Sequence, residues 1–302
     1  MKAIVLHEYG PPENLKYEDF EDPKPGPGEV LVRVAAVSIN PVDWKMRSGE
    51  AKARFPLEFP AIIGRDLSGV VREVGEGVTG FEPGDKVFAL ANHTYAELCV
   101  VKASELAKIP DGIELVHAAA LPLVTLTGEQ LIRIGTGIRS GQTILITGAL
   151  GGVGRSAVRV AKDAGAKVIA GVRAKQLKEA ESLGADHVLA LDDEKAIEKL
   201  GLIDAVADTI NHETAEKLIG KVTPGGIFAS VLGPPANAAL HPQVKVVPVM
   251  CKPDPERMVK LAEDVKKKRL TIPIDRMIPL ADAGQGHRVA EKGGIGKVIL
   301  TA

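Results

Sequence analysis

The chain has 302 residues, 45% of them apolar, with 38 basic against 39 acidic side chains and a formal net charge of −1. That length and apolar share are enough for two hydrophobic cores, and the near-neutral balance speaks against nucleic acid or an acidic surface as a partner. Only Cys99 and Cys251 are present, far apart and outside any Cys-x-x-Cys spacing; this excludes a dense disulfide framework and reads as reduced cytoplasmic thiols, with one bridge between them left open.

Met1-Lys2 leads directly into the strand-like Ala3-Ile4-Val5-Leu6, which is too short and wrongly flanked for a secretory signal. No apolar run is expected to reach spanning length, so no membrane partner is expected. The first third continues as strands, Glu29–Val34, Gly69–Val74, Asp85–Leu90 and Tyr95–Val100, separated by turns such as Pro23-Lys24-Pro25-Gly26-Pro27-Gly28. Such spacing predicts a compact β-barrel-like module.

From about Glu114 the pattern becomes helical, Leu115 to Ile134 with an interruption at Pro122. Strands and helices then alternate: Gln142–Thr147, a helix from near Val153, Lys167–Val172, a helix near Ala174–Leu183, His187–Leu191, Ala205–Asp208 and Gly226–Val231. This alternation predicts an α/β fold whose doubly wound parallel sheet is covered by helices on both faces. The tail adds one helix, about Pro255–Arg269, and a closing strand, Lys297–Leu300. The cations Lys266-Lys267-Lys268-Arg269 suit that helix's C-terminus and need no ligand.

Between the apolar strand ending at Thr147 and the helix near Val153 lies Gly148-Ala149-Leu150-Gly151-Gly152-Val153-Gly154. Glycines there let the backbone turn tightly and approach a pyrophosphate, whose charge sits on the unpaired N–H groups of the helix start. Ala149 holds the first position of the Gly-x-Gly-x-x-Gly fingerprint, and Gly151 and Gly154 hold the other two. Alone the motif is weak. With the small face Ala157, Val158, Val160 and Ala161 behind it and a second strand at the βαβ distance, it predicts a dinucleotide site.

The second strand discriminates between dinucleotides. An NAD site normally ends this strand with Asp or Glu for the ribose 2′-hydroxyl, but here Gly171 stands there, followed by Arg173 and Lys175. Two cations and no acid predict NADPH through its 2′-phosphate; the alternative is a pair of solvated helix-start charges.

Taken together, Gly10-Pro11-Pro12-Glu13-Asn14-Leu15, Ser38-Ile39-Asn40-Pro41-Val42-Asp43, Gly64-x-Asp66-x-x-Gly69, Phe81-x-x-Gly84-Asp85-x-Val87, Gly151-Gly152-Val153-Gly154, Ser182-Leu183-Gly184-Ala185-Asp186 and Gly296-Lys297 give nearly the whole chain a family likeness. It resembles the medium-chain dehydrogenase/reductase superfamily, within it the zinc-independent quinone oxidoreductase and enone reductase group. The resemblance implies a GroES-like β-barrel catalytic domain (residues 1–112 and 252–302), a Rossmann NADP-binding domain (113–251), an active site in the cleft and, often, a homodimer.

Zinc-dependent relatives carry a Cys where this chain has Asn40-Pro41, and a Gly-His-Glu triplet where it has Gly64-Arg65-Asp66. The four-cysteine structural lobe is missing and the seven histidines are scattered singly, so no metal is expected. Alcohol oxidation, which wants a Lewis acid or strong base, is then a poor fit. Hydride delivery to a quinone or an α,β-unsaturated carbonyl asks less, because the acceptor delocalises the arriving charge onto its own oxygen.

Asn40, followed by Pro41, reads as the N-cap of a short helix that the resemblance turns toward the nicotinamide. Lys45 on that helix is the expected electrostatic stabiliser and proton donor, with Asn40 beside the cofactor; a solvated lysine and a plain cap are the alternatives. Asp43 reads as an early-helix acid favoured by the dipole, with pairing to Lys45 or Arg47 as the alternative. Tyr95 is an alternative donor, and with Trp44, Phe55, Leu57 and Phe59 it belongs either to a substrate cleft or to the core. The resemblance adds Thr127, Val231, Leu232, Gly233 and, ranked lower, Lys297 as cofactor contacts; Ile295 stands where an Arg commonly precedes the Gly-Lys pair, and Leu191 replaces a frequent Tyr. The expected activity is NADPH-dependent reduction of a small-molecule quinone or enone. A nucleotide-binding sensor or structural module without turnover and an enoyl-thioester reductase are the other readings.

Overall fold

The fold is that of a computed structural model, which describes every residue except Asn211 and Ile295 and, at His212, the backbone alone. In chain order the N-terminal part runs β1 (Lys2–Leu6), β2 (Leu15–Asp19), β3 (Glu29–Ser38), α1 (Pro41–Ser48), β4 (Ala61–Ile62), β5 (Asp66–Val74), β6 (Lys86–Leu90), β7 (Leu98–Lys102), β8 (Leu106–Lys108) and α2 (Leu115–Ala118). There follow α3 (Pro122–Gln130), extended by a π-helical segment over Leu131–Thr136, β9 (Thr143–Thr147), α4 (Gly152–Asp163), β10 (Lys167–Val172), α5 (Leu177–Ala180), β11 (His187–Ala190), α6 (Glu194–Lys199), β12 (Ile203–Asp208), α7 (His212–Ile219), β13 (Val222–Ser230) and β14 (Lys245–Pro248). The tail holds α8 (Pro255–Lys266), β15 (Ile274–Pro279), α9 (Ala283–Glu291) and β16 (Lys297–Thr301).

Two compact units divide the chain: Met1–Leu123 with Pro253–Lys268 and Ile272–Ala302, and Val124–Lys252 with Arg269–Thr271. In the first, β15-β16-β3-β5-β6-β8 are neighbours in one sheet, β7 pairs with β3, and β2-β1-β4 form a smaller sheet. Alternation sets the inward face: Val30, Val32 and Val34 of β3 share a core with Ile4, Leu67, Val87 and Val101. Helix α2 packs on β3 and β5, so residues 115–118 sit with this unit, beyond the 112/113 break expected from sequence.

In the second unit the described strands run β11-β10-β9-β12-β13-β14, all parallel. Ile144 and Ile146 face one apolar cluster with Ala157, Val158 and Ala161 of α4, while Leu145 faces another with Val206, Leu218 and Phe228. Both faces are therefore covered, as in the doubly wound architecture read from the sequence. The chain winds outward from β9 to β11 and then returns across the sheet to β12. That reversal makes a topological switch point between β9 and β12.

Several sequence expectations need correction. The helix expected near Ala174–Leu183 is broken into a short α-helix flanked by two 3₁₀ turns. The tail contains a second helix, α9, concealed by its glycines: a Cβ on Gly286 would lie 2.7 Å from Ile39 Cδ1 and 2.9 Å from Leu300 Cδ2, so a residue that lowers helix propensity is what close packing requires. The helical stretch Leu115–Thr136, at 22 residues, is after all long and apolar enough to cross a membrane by length and composition, but 78% of its apolar window is buried inside the fold.

Candidate functional site

At the end of β9 the backbone turns through Gly148, whose φ of +60° favours glycine and whose Cβ would meet Thr209 Oγ1 and Ile210 Cγ2, each at 2.6 Å. Gly151 N–H closes the turn on Gly148 O at 2.9 Å, and Gly151 O accepts the first helical hydrogen bond from Arg155 N–H at 2.8 Å. With no side chain to cap α4, the N–H groups of Gly152 and Val153 have no intrahelical acceptor. Gly154 solves a different problem: its Cβ would lie 2.2 Å from Gly148 O. Ala149 is buried, so methyl groups fit there but not at Gly154.

A polar lattice fixes the strand ends around this turn. Buried Asp208, at the end of β12, accepts from Thr147 Oγ at 2.9 Å and Ser230 Oγ at 2.8 Å. Thr209 N–H reaches Thr147 Oγ1 at 2.8 Å, its hydroxyl reaches Thr147 O at 2.7 Å, and Leu232 N–H reaches Ser230 Oγ at 3.0 Å. Val231 N–H donates to Asp208 O at 3.2 Å, and Gly233 turns with φ +105°. The segment Val231-Leu232-Gly233 is thus tied to the switch point, through a carboxylate to which the sequence reading gave no role. Thr127 is buried on α3. Arg173 and Lys175 both lie exposed after β10, and neither forms an ion pair among the described residues.

In the first unit, α1 starts at Asn40 as its sequence predicts, and Asp43 Oδ2 accepts from Asn40 N–H at 2.7 Å, the return bond of a capping box. The buried Asn40 amide is bonded within the interior: Nδ2 donates to Asp66 Oδ2 at 2.8 Å and to Ser38 O at 3.2 Å, and Oδ1 accepts from Lys297 Nζ at 2.5 Å. Lys297 also donates to Ile39 O at 2.8 Å. Asp66 further accepts from Ser38 Oγ at 2.5 Å and from Leu123 N–H at 2.7 Å. Burial pushes the Asp66 carboxyl up and the Lys297 ammonium down, and their mutual attraction opposes both shifts.

Asp43 is no solvated helix-start acid and pairs with neither Lys45 nor Arg47. It is buried, with Oδ1 lacking a partner, and burial raises its carboxyl to about 7, against the opposing Asn40 N–H bond and with help from the charge of Asp66. Tyr95 is enclosed in the core; its hydroxyl lies 3.2 Å from Asp43 Oδ2 and 3.2 Å from His287 Nε2. Arg47 Nη1 stands 3.1 Å from His287 Nδ1, and Arg47 also binds Glu291 at 2.8 Å and Gly10 O at 3.0 Å. Burial first, and then Arg47, pull His287 down to about 3, so the ring is neutral. Since Arg47 only donates, Nδ1 accepts and Nε2–H donates to Tyr95, whose proton then points to Asp43. Burial, then Asp43, raises the Tyr95 phenol well above its usual range.

Among the residues proposed from sequence, Lys45 is the one on α1 that faces water: it is 37% exposed and its Nζ lies 2.7 Å from Glu50 Oε1. Asn40, Tyr95 and Lys297 are brought together inside the first unit as a support for α1. Arg47, Asp66 and His287 complete that support without having been selected; the motif Gly64-x-Asp66-x-x-Gly69 carried the signal for one of them. Ile295, noted in the Gly-Lys context, lies outside the described residues.

Two family models match the chain, an alcohol dehydrogenase GroES-like domain over residues 26–111 and a zinc-binding dehydrogenase over residues 183–300. A chloroplast envelope quinone oxidoreductase homolog of Arabidopsis thaliana is 32% identical, over 99% of this chain and 98% of its own. Acryloyl-coenzyme A reductase of Sulfurisphaera tokodaii is 30% identical, over 99% of both chains. A solved Escherichia coli quinone oxidoreductase complexed with NADPH matches 100% of both chains with a TM-score of 0.88 at 25% identity.

The zinc in one of those descriptions finds no fitting donor set here. Among the described residues no group of three or more His, Cys, Asp and Glu is placed to hold a metal ion, and the Lys297 ammonium bonded to Asn40 would repel a cation from that place. A dinucleotide does fit: the turn at Gly148–Gly154 presents bare backbone, and at Gly151 a Cβ would meet only Gly148 O, at 3.2 Å.

Proposed function

Because the chain belongs to the medium-chain dehydrogenase/reductase superfamily, in its zinc-independent quinone oxidoreductase group, we propose that it is an NADPH-dependent reductase of quinones or of the activated C=C of α,β-unsaturated carbonyls. It is an oxidoreductase with a nicotinamide cofactor, which when bound supplies the hydride. The N–H groups of Gly152 and Val153 hold the pyrophosphate at the positive end of α4. Arg173 and Lys175 hold the 2′-phosphate, with Gly171 leaving no acid to repel it. Lys45 stabilises the negative charge that arrives on the acceptor oxygen and delivers the proton that follows. Asn40, Asp43, Asp66, Tyr95 and Lys297 position α1, and none of them needs to meet the acceptor.

The observation that carries the NADPH reading is the pair of exposed cations, without ion pairs among the described residues, directly after a strand whose last two residues, Gly171 and Val172, carry no acid. It is tested by following NADPH and NADH consumption with a panel of quinones, short 2-alkenals and enoyl thioesters. Faster NADPH consumption with quinones or alkenals is expected. In Arg173→Ala/Lys175→Ala the affinity for NADPH should fall much more than that for NADH, and equal losses would remove the 2′-phosphate assignment. A second reading, an enoyl-thioester reductase, is favoured by the acryloyl-coenzyme A reductase relative; turnover confined to thioesters would establish it.

A further inference from the structure

Arg65 has no acid. Its Nε is sealed from solvent without an acceptor, and among the described residues its guanidinium takes part in no hydrogen bond or ion pair. It lies over the Phe55 ring, with Cζ 5.8 Å from the centroid. Arg54 Cζ lies 5.7 Å from the same centroid and is likewise without an ion pair among the described residues. One aromatic ring therefore carries two cations that no described residue neutralises. Ring contact offsets part of the desolvation of Arg65, yet a half-buried guanidinium lacking a counter-charge, beside a second one, is electrostatically unfavourable. Binding an oxyanion relieves both terms at once, and the planar fork of arginine matches a carboxylate or phosphate with paired hydrogen bonds.

The surroundings define the rest of such a ligand. Phe55 N–H bonds to Ala51 O at 2.8 Å and Ala51 N–H to Lys45 O at 3.0 Å, so the ring is tied turn by turn to the helix that carries Lys45. Two residues on, Leu57 N–H donates to Tyr9 Oη at 3.0 Å, and Phe59, 37% exposed, stands edge-on to Tyr9 with centroids 4.9 Å apart. On the other side Arg65 O accepts from Ala91 N–H at 3.0 Å, and the next residue, Asp66, is locked inside on Asn40. Two cations on one aromatic ring suit a flat, conjugated molecule with an anionic end.

We propose that Arg65, assisted by Arg54, is an oxyanion-recognition site for a conjugated acceptor bearing a carboxylate or carried on a phosphate-containing thioester. The proposal rests on the reductase reading only in calling the ligand the acceptor.

Its test compares wild type with Arg65→Gln and Arg54→Gln on matched pairs: 4-oxo-2-pentenoate against neutral 3-penten-2-one, and crotonyl-coenzyme A against crotonyl-N-acetylcysteamine. Arg65→Gln should raise KM for the charged member by about 10-fold while leaving its kcat, and both constants for the neutral member, within about 2-fold. Arg54→Gln, an exposed position that leaves the core untouched, should act in the same direction more weakly. Loss with 4-oxo-2-pentenoate identifies a carboxylate on the acceptor, and loss confined to crotonyl-coenzyme A identifies the carrier phosphates. Equal loss for charged and neutral partners, or no loss at all, would overturn the proposal. Calorimetric binding of 4-oxo-2-pentenoate and crotonyl-coenzyme A is measured in parallel. If wild type reduces none of the four compounds but binds an anionic one in an Arg65-dependent way, the reductase reading fails and the oxyanion site stands; absence of Arg65-dependent binding and turnover alike removes the site.

Discussion

Lys297 and Asp66 are joined through a single amide: Lys297 Nζ donates to Asn40 Oδ1 at 2.5 Å, and Asn40 Nδ2 donates to Asp66 Oδ2 at 2.8 Å. A buried ammonium and a buried carboxylate thus neutralise one another across the side chain that starts α1. The helix bearing Lys45 is held by this arrangement from below and by Asp43 from within. An internal lysine stands bonded to the Asn40 position, where zinc-dependent relatives have a metal-binding Cys.

Removing one partner of such a pair leaves the other charge buried and unpaired. Lys297→Met should therefore destabilise the fold by about 3–5 kcal/mol, and Asp66→Asn added to it should recover part of that loss. Urea unfolding of the two single variants and the double variant gives the coupling. A single-variant loss below about 1 kcal/mol would show that Lys297 is not part of the interior charge balance.

The pH dependence of stability has two opposed contributors. Asp43 is raised in the folded state to about 7 from an unfolded value near 4, so native protein holds a proton that the unfolded chain has released. Its contribution is full below about pH 4 and is lost as pH rises toward 7. His287, held down to about 3 from an unfolded value near 6.5, contributes stability that is present above about pH 6.5 and lost as pH falls toward 3. Unfolding free energies measured across this range should show Asp43→Asn removing the decline on the alkaline side and His287→Gln removing the decline on the acid side. Parallel curves for variant and wild type would contradict these assignments.

The glycine turn separates folding from binding. At Gly154 a Cβ would meet Gly148 O at 2.2 Å, a backbone atom that cannot swing away, so Gly154→Ala should destabilise the protein by about 1–3 kcal/mol and weaken nucleotide binding with it. At Gly151, with φ −72° and ψ 163°, alanine is conformationally allowed and its Cβ contacts only Gly148 O at 3.2 Å. Gly151→Ala should then alter stability by less than about 1 kcal/mol while lowering NADPH affinity, because the methyl group stands where the pyrophosphate approaches. Denaturation together with NADPH fluorescence titration distinguishes the two; a Gly151→Ala protein with unchanged NADPH affinity would move the phosphate site elsewhere.

Much of this architecture was legible because it follows from local chemistry. The run Thr143–Thr147, the glycine turn and the small face of α4 form one strand-turn-helix signal, and the acid missing at Gly171 is visible in the residue letters alone. What stayed hidden was long-range. Asp43 looked like a dipole-favoured early-helix acid because its partner Tyr95 lies 52 residues on, and His287, which bonds that tyrosine, another 192. Asn40 was correctly placed at the start of α1, but the bonds of its amide to Lys297 on β16 and to Asp66 could not be read from the sequence. Helix α9 was missed because Gly284 and Gly286 read as breakers when each marks a close contact, with Pro12 in one case and with Ile39 and Leu300 in the other.

Lys45 is the sharpest remaining test of the mechanism. Its side chain is 37% exposed and its ammonium is held 2.7 Å from Glu50 Oε1, a surface pair that contributes little to stability, so Lys45→Ala should change unfolding free energy by less than about 1 kcal/mol. Loss of a cation that stabilises charge developing on the acceptor should instead lower kcat by about 10–1,000-fold with the NADPH dissociation constant nearly unchanged. Lys45→Arg keeps the charge but cannot release a proton at neutral pH, so it should restore part of the rate if the role is electrostatic and none of it if proton delivery limits turnover. Glu50→Gln frees the ammonium from its partner and should leave kcat equal or raised. Full turnover in Lys45→Ala would place the charge-stabilising group elsewhere, and with it the functional meaning of the buried lattice that holds α1.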